Sequence, residues 1–293
     1  MIYTTQRNLK EMRELSGQNP NTRTRDSDIE FMRLDNAQRQ LSEIVIANRP
    51  DALAFYFDLA LDGSLEYYIP DSINFDYEEI LMVTELSDST YEFPTEAFDW
   101  FDRMSVSPHT IAGSAVIGGE KLKWEVRGNY IEFPSRADNM TVRVWYTRYP
   151  VGFFYGACGA TVTDNTVIFP TTPTGGEILK RNDYYNGMRL YNGADGLVYT
   201  ISDYVASTNT ATVSSNWSVN PTATSTVIEI VSPLPERIHD LIPAMAAGVI
   251  KVSNDDNTNQ LEAMIENRVS GFLTRFRKPQ SQEPDRIRKV LRY

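Results

Sequence analysis

The clearest alternation of apolar and polar residues lies between residues 27 and 49. Five apolar residues recur at helical spacing and predict one buried helix face: Leu34, Ala37, Leu41, Ile44 and Val45. Four polar residues fall on the other side and are expected to face solvent: Asp35, Arg39, Ser42 and Glu43. Ser27 and Glu30 have the spacing of a capping box at the helix start. Pro50 ends the helix, because the residue before a proline resists the α conformation.

An apolar face of this length needs a partner, and the best candidates lie near the other end of the chain. One helical pattern there runs through Ile238, Leu241, Ile242, Met245 and Val249, with Pro243 expected to kink it. A second is expected to be capped by Asn254 or Asp255 and runs through Leu261, Met264, Ile265, Phe272 and Phe276. A short helix over 5–15, ended by Gly17, precedes the main one. We expect the helices of the two ends to pack into one body.

The pattern of the residues between these ends predicts β structure. Asp62 and Gly63 form a hairpin signal between strands predicted at 53–61 and 65–69. A buried strand is predicted at 80–83, and an aromatic loop or short helix at 91–104. Segments 121–126 and 130–133 flank a Gly-Asn turn, and 141–149 alternates again. Residues 53–152 therefore predict an antiparallel sandwich or barrel.

From residue 156 to 232 the chain is rich in Thr, Asn, Gly and Ser. Short strands are predicted there at 166–169, 188–191, 197–201, 211–213 and 227–231. We interpret this region as a second, small β-barrel. The predicted fold is α+β with three domains: a helical body of 1–52 plus 233–293, a β domain of 53–152, and a β insert of 153–232.

The charge is unevenly distributed along the chain. The net charge is −11, but the last 26 residues hold eight basic residues and two acidic ones, which leaves −17 on the rest. An acidic body argues against wrapping nucleic acid, because that affinity comes mainly from neutralised phosphates. The basic tail could contact nucleic acid or an acidic protein, or be a solvated terminus. With no apolar run of about 20 residues and no signal-peptide pattern, we expect synthesis in a cytosol.

The sequence holds few signals of catalysis. His109 and His239 lack the neighbouring carboxylates or cysteines of a metal or nucleophile site. No phosphate-binding loop, dinucleotide fingerprint or nucleophile elbow is present. The single cysteine, Cys158, has no activating base nearby and is expected to be a small buried residue.

Acidic residues could act as calcium ligands or as catalytic pairs. Four residues match positions 1, 3, 5 and 12 of an EF-hand loop: Asp255, Asn257, Asn259 and Glu266. The match is incomplete, because Gln260 replaces the glycine that the sharp turn of such a loop requires. Two clusters could supply the paired acids of a glycoside hydrolase: Asp76, Glu78 and Glu79, and Asp99 with Asp102. Solvated surface charge explains these residues better. We therefore expect no enzyme activity, no cofactor and no metal.

The order of the segments resembles the head–tail connector (adaptor, or head-completion) proteins of tailed bacteriophages. Such proteins open with a short helix, a polar loop and a long helix, here LKEMRELSG and SDIEFMRLDNAQRQLSEIV. A corner and strands follow, here EYYIPDSI, YEEILMV, NYIEFPSR and VRVWYTRYP. They end with a helix pair and a basic tail, here LPERIHDLIPAMAAGVI and NQLEAMIENRVSGFLTRF. The resemblance covers residues 1–150 and 232–293, and the β insert looks like those found in phage structural proteins.

The resemblance implies a virion protein at the neck, made in the host cytoplasm. Such proteins form rings, commonly of about twelve subunits, below the portal protein; they contact tail or other neck proteins and pass DNA during packaging and ejection. No membrane is involved. The basic tail is then expected to order on docking into the portal, through Arg275, Arg277, Lys278, Arg286, Arg288, Lys289 and Arg292.

A different class of function is a tail or capsid-decoration protein with a glycan-binding β module. Four aromatic residues of the insert could stack on sugars, although core packing is the simpler interpretation: Tyr184, Tyr185, Tyr204 and Trp217. A glycan hydrolase that uses one of the carboxylate pairs is the third alternative.

Overall fold

A computed structural model of the chain describes residues 3–18, 27–48, 50–70, 77–86, 92–93, 110–112, 116–117, 120–121, 124–133, 136–159, 161–254 and 257–276. The fold is mixed helix and sheet; its sheets are mainly antiparallel, and one is a curled half-barrel. The described residues divide into two compact units. The first comprises those up to 53 and from 149 to 276, and the second those from 54 to 148.

The first unit contains four α-helices drawn from the two ends of the chain. These are α1 (Thr5–Leu15), α2 (Ser27–Asn48), α3 (Leu241–Ser253) and α4 (Asn259–Phe276), with 3-10 turns at Pro50–Leu53 and Glu236–Ile238. The structure confirms the predicted helix over 5–15, and confirms the helix predicted over 27–49 as far as Asn48. Gly17 follows α1 with φ of +77°, a conformation that costs glycine little.

Helices from both ends contribute to one hydrophobic core. Leu34, Leu41 and Val45 of α2 are buried in it. Its other buried members include Leu9 and Met12 of α1, Leu241, Ile242, Ala246, Ala247 and Ile250 of α3, and Leu261 and Phe272 of α4. The C-terminal helices therefore cover the apolar face of α2, as its spacing predicted.

Three details of these helices differ from the prediction. Val249 is 54% exposed, and α3 instead buries alanines, which allow close approach to α2. Pro243 is the third residue of α3, in the first turn, where its missing N–H needs no partner, so the predicted kink does not arise. The start of α4 at Asn259 is later than the predicted caps at 254 or 255, and the Glu262 N–H donates to the Thr258 carbonyl there.

The polar side of α2 is also partly covered, by the chain that returns at residues 151–153. Gln38 Nε2 donates to the Val151 carbonyl at 3.1 Å, and Asp35 Oδ1 accepts from the Phe153 N–H at 2.8 Å. Ser42 is fully buried and donates to the carbonyl of Gln38. The prediction that Asp35 and Ser42 face solvent was therefore wrong, whereas Arg39 and Glu43 are exposed as predicted.

The remainder of the first unit is the curled sheet. Its strands in chain order are β11 (Phe154–Ala157), β12 (Thr161–Thr163), β13 (Thr166–Ile168), β14 (Gly175–Gly176), β15 (Arg189–Asn192), β16 (Leu197–Val205), β17 (Thr210–Val213) and β18 (Val227–Val231). They are arranged β12-β13-β17-β16-β15-β18-β11-β14. All five strands predicted between 166 and 231 are present. The sheet belongs to the same compact unit as the helices, and the division into three domains stays a prediction.

The second unit is built on three sheets. Its strands are β1 (Ala54–Asp62), β2 (Glu66–Tyr68), β3 (Tyr77–Glu85), β4 (Glu92–Phe93), β5 (Thr110–Ala112), β6 (Val116–Ile117), β7 (Glu120–Lys121), β8 (Glu125–Arg127), β9 (Tyr130–Glu132) and β10 (Arg136–Arg148). The largest sheet runs β1-β10-β3-β4, with β5 parallel to β10; β2-β9-β8 and β6-β7 form the other two. Alternate residues of β10, Val142, Val144 and Tyr146, are buried in the core of this unit.

The predicted hairpin at Asp62 and Gly63 has the turn but not the pairing. Gly63 has φ of +88°, and Asp62 Oδ1 accepts from both the Ser64 N–H and the Tyr67 hydroxyl. The two flanking strands then enter different sheets, since β1 pairs with β10 and β2 with β9. The hairpin of β8 and β9 around Gly128 is confirmed. Of the loop or helix predicted over 91–104, only Glu92–Phe93 is described, and it is a strand.

Candidate interaction surface

The predicted interaction site is the basic tail that follows α4, and the structure describes only its first residue. Arg275 lies in the last turn of α4. The other six predicted residues lie outside the described residues: Arg277, Lys278, Arg286, Arg288, Lys289 and Arg292. The tail therefore stays a prediction, and the surface around α4 is what the structure adds.

Within the part of the chain that the structure describes, one side of α4 is firmly packed. Leu261 and Phe272 are buried in the helical core, and the Arg268 guanidinium donates to the Asp240 carboxylate beside the start of α3. Met264 is 41% exposed. A helix with so few buried side chains leaves apolar surface beside it that another element can cover.

Two grooves flank α4. The first groove, of about 380 Å³, lies between α4 and the start of α3 and is lined by Arg237, Ile238, Leu241, Asn267, Arg268, Gly271 and Phe272. The second groove, of about 540 Å³, lies between α4 and the end of α2 and is lined by Ile44, Ile265, Glu266, Val269, Ser270, Leu273 and Thr274. Gly271 lines the first groove, and a Cβ built there would have no atom within 4 Å.

The start of α2 carries an apolar patch that sequence reasoning did not single out. Ile29 is 44% exposed and Met32 is 62% exposed. The first turn of α2 is held to α1, because Arg13 of α1 donates two hydrogen bonds to the buried carboxylate of Glu30. Glu30, predicted as half of a capping box, thus serves as an ion-pair partner. The signal in the sequence was a pair of apolar residues three apart and away from the main apolar face.

Buried carboxylates join the first two helices to the strands. Burial raises the pKa of Asp35 to about 6, although the Phe153 N–H that it accepts acts in the other direction. Burial likewise raises the pKa of Glu229 in β18, whose Oε2 accepts from the Gln6 N–H of α1 at 2.9 Å. These groups face backbone amides of neighbouring elements, so their role is to position the helices on the sheet.

The residues considered for catalysis occupy structural positions where the structure describes them. His239 is fully buried, its Nε2 donates to the Leu234 carbonyl at 2.7 Å, and burial lowers its pKa. Cys158 is buried, its Sγ lies 3.2 Å from the Thr222 carbonyl oxygen, and burial raises its pKa. A buried thiol of raised pKa is a poor nucleophile. His109 lies outside the described residues.

The acidic candidates do not form a site among the described residues. Asp76, Asp99, Asp102 and Asp255 lie outside them, and Glu79 is exposed. Asn259 and Glu266 both lie on α4, so they do not belong to an EF-hand loop. Within the described ranges, no group of three or more His, Cys, Asp or Glu side chains is placed to hold a metal ion.

The four aromatic residues considered for glycan stacking are buried in the curled sheet. The rings of Tyr185 and Tyr204 meet edge to face with their centroids 4.8 Å apart, and the centroids of Tyr199 and Trp217 are 4.5 Å apart. The exposed fractions are at most 7% for all four: Tyr184, Tyr185, Tyr204 and Trp217. These rings pack the core and cannot stack on a sugar from solvent.

Comparison with known proteins does not assign the chain. No protein-family model matches it, and no curated protein matches it significantly. Among the helices described here, none combines the length and apolar character that crossing a membrane requires.

Proposed function

We propose that this chain is a structural protein of a tailed-phage virion that forms a ring at the head–tail junction below the portal. Its helices from the two ends form the ring-building body, 53–152 form a β-sandwich or barrel, and 153–232 form a small β-barrel insert. DNA passes through the ring during packaging and ejection. The protein acts by making contacts and carries out no reaction.

The observation that carries the proposal is the shared core of α1 to α4. Connector-like segment order alone leaves open whether the first fifty and last sixty residues meet. Among the described residues, α2 and α3 share one core, in which Leu34 and Leu41 are buried with Leu241 and Ile250. A ring requires two different complementary surfaces on each subunit. The exposed start of α2 and the grooves beside α4 are two different surfaces of the first unit.

The charge distribution supports passage of DNA. The chain outside the last 26 residues carries −17. Acidic side chains that line a channel repel phosphates within a Debye length of about 8 Å at physiological salt, which keeps DNA from adhering to the wall. The basic tail has the opposite sign and is suited to an acidic partner surface.

The proposed partners are further copies of the chain in a ring of about twelve, the portal protein, and tail or other neck proteins, with transient contact to viral DNA and no membrane. The tail residues between Arg275 and Arg292 dock into the portal. No second function is proposed, because the aromatic side chains that would have recognised a glycan are buried.

The test is electron microscopy of the purified full-length chain alone and mixed with portal protein of the same phage. We expect rings seated on the portal. Replacing Arg286, Arg288, Lys289 and Arg292 by Gln should reduce portal binding at least tenfold, because the tail loses four charges. The matched control replaces four exposed basic residues elsewhere by Gln: Lys10, Arg39, Arg127 and Lys180.

The control should bind portal within about twofold of the unmodified protein at the same salt. Images that show only single subunits, both alone and with portal, contradict the proposal. Equal weakening by the tail and control substitutions would show that net charge, and not the tail, determines docking.

A further inference from the structure

Three side chains at the start of α2 form one contiguous exposed surface, which we call the α2 patch. Asp28, Ile29 and Met32 are exposed. Ile29 and Met32 are three residues apart and Asp28 and Met32 four, so all three lie on the same side of the helix. An aliphatic residue, a methionine and a carboxylate together resemble the anchor set of a helix that binds in a groove.

The first groove of α4 has the chemistry that suits this patch. Its floor is apolar, because Ile238, Leu241 and Phe272 are buried beneath it. Arg237 is exposed at its rim. Its volume of about 380 Å³ fits large side chains, since one water molecule occupies only about 30 Å³ of liquid.

The patch and the groove lie at opposite ends of α1 within the first unit. Arg13, near the end of α1, binds Glu30 at the start of α2. The ring of Tyr3, just before α1, lies 6.4 Å between centroids from the ring of His239, which follows the groove residue Ile238 in the chain. Eleven helical residues separate these ends by about 16 Å. The two surfaces therefore cannot meet within one copy.

We propose that the α2 patch of one copy of this chain docks into the first groove of the next copy, with Met32 and Ile29 on the apolar floor and Asp28 facing Arg237. The contact is head-to-tail, because it joins two different surfaces, and repeated contacts of this kind close into a ring when the rotation permits. This inference rests on the proposed ring and specifies its subunit interface.

The charges on the α2 patch and at the rim of the first groove are opposite, which indicates that a second copy of the chain occupies the groove. Asp28 adds a carboxylate to the positive end of α2, and the groove offers the guanidinium of Arg237. The apolar contact is an anchor within a larger interface, because three side chains cover far less than the roughly 800 Å² per partner of a stable complex.

A disulfide trap tests the contact directly. Met32→Cys and Gly271→Cys are made in separate full-length chains, whose natural Cys158 is buried. Under mild oxidation, with and without portal, we expect the mixture to form a reducible dimer at least ten times more efficiently than either variant alone. A chain with both substitutions should form a ladder of covalent oligomers. The matched control pairs Met32→Cys with Met264→Cys, which is also exposed and on α4.

Charge reversal supplies a second test. Asp28→Arg or Arg237→Asp alone should reduce cross-linking at least fivefold, and the two together, in the mixed chains, should restore it. Dimers of Met32→Cys alone as abundant as in the mixture would overturn the inference, as would equal cross-linking in the Met264→Cys control. Absence of any cross-link with portal present would overturn it too.

The proposed ring at the neck and the proposed contact between subunits can fail independently. Portal-bound rings that form unchanged with Met32→Glu and with Gly271→Leu, which fills the groove, refute the inference and leave the proposed function standing. Specific cross-linking without any portal-bound ring supports the interface and refutes the neck assignment.

Discussion

At the scale of the residue, Asp35 connects α2 to the chain just before β11. Its carboxylate accepts from the Phe153 N–H at 2.8 Å, and a Cβ on Gly152 would lie 3.0 Å from its Oδ2. Burial raises its pKa from 3.8 to about 6. The folded protein therefore holds this proton more tightly than the unfolded chain, and the charged form is the less favourable one inside the fold.

Asp35→Asn tests this directly. For a carboxyl group whose pKa is raised by folding, stability falls as pH rises from about 4 to about 6. Asn keeps the acceptor for Phe153 but has no charge, so we expect the variant to match the unmodified protein near pH 4. At pH 7.5 it should melt a few degrees higher, at about 2–4 °C per kcal/mol for a chain of this size. Melting temperatures across pH 4–8 measure this.

A control for that series is Asp58→Asn, which removes a carboxylate held by Arg143 at the surface of the second unit. Its side chain is 38% exposed, and it should not share the pH dependence of Asp35→Asn. If the melting temperatures of Asp35→Asn and the unmodified protein depended on pH in the same way, Asp35 would not be responsible for the pH dependence of stability.

At the scale of the element, the short strand β14 packs against α2 because it consists of two glycines. A Cβ on Gly175 would collide with the ring of Phe31, which is buried and stacks on Tyr155 with ring centroids 6.0 Å apart. Gly176 has φ of +77° and lies against the backbone of Phe153. The close approach of α2 to the edge of the curled sheet therefore depends on the absence of side chains here.

Gly175→Ala is expected to destabilise the protein by about 1–3 kcal/mol, because the added methyl group overpacks the contact with Phe31. Gly271→Ala is the matched control, since the new Cβ there meets no atom within 4 Å. Alanine in a helix should then stabilise by up to about 1 kcal/mol. Denaturant unfolding of both variants gives the two free energies, and a neutral Gly175→Ala would contradict the proposed packing.

Strand pairing shows where element-level prediction stops. The Asp62-Gly63 turn was recognisable, because its chemistry is local. The partner of β1 was not, since β10 lies more than seventy residues further along and pairs with β1 over nine residues. The long ladder stabilises β1 more than the three-residue β2 could, so the turn joins two sheets rather than two paired strands.

At the scale of the whole molecule, the shared core predicts that the two ends of the chain lose structure together. Leu34→Ala should cost about 2–5 kcal/mol, because Leu34 is fully buried among side chains of α2 and α3. We expect faster amide hydrogen exchange in α1, α2 and α3 alike. Val144→Ala, fully buried in the second unit, is the matched control and should accelerate exchange in β1, β3 and β10.

Exchange that accelerates in α2 but not in α3 after Leu34→Ala would separate the two ends energetically. The ring proposal would then lose its main support, because its subunit body requires both ends to act as one unit.

The sequence by itself determined where several of the described helices and strands form and which face of α2 is apolar. Helices at 5–15 and 27–49 and the strand at 227–231 follow from periodicity, glycine and proline, which act within a few residues. The burial of Cys158 and of the insert tyrosines also followed from their chemistry.

The tertiary structure decided which surfaces are covered. Asp35 and Ser42 are polar, yet Asp35 accepts from the Phe153 N–H and Ser42 is fully buried, while Met32 and Val249 are apolar and exposed. Strand partners and the two grooves beside α4 are equally non-local. The physical reason is that periodicity reports the average environment of one helix or strand, whereas coverage depends on contacts between segments far apart in the chain, whose geometry no local pattern encodes.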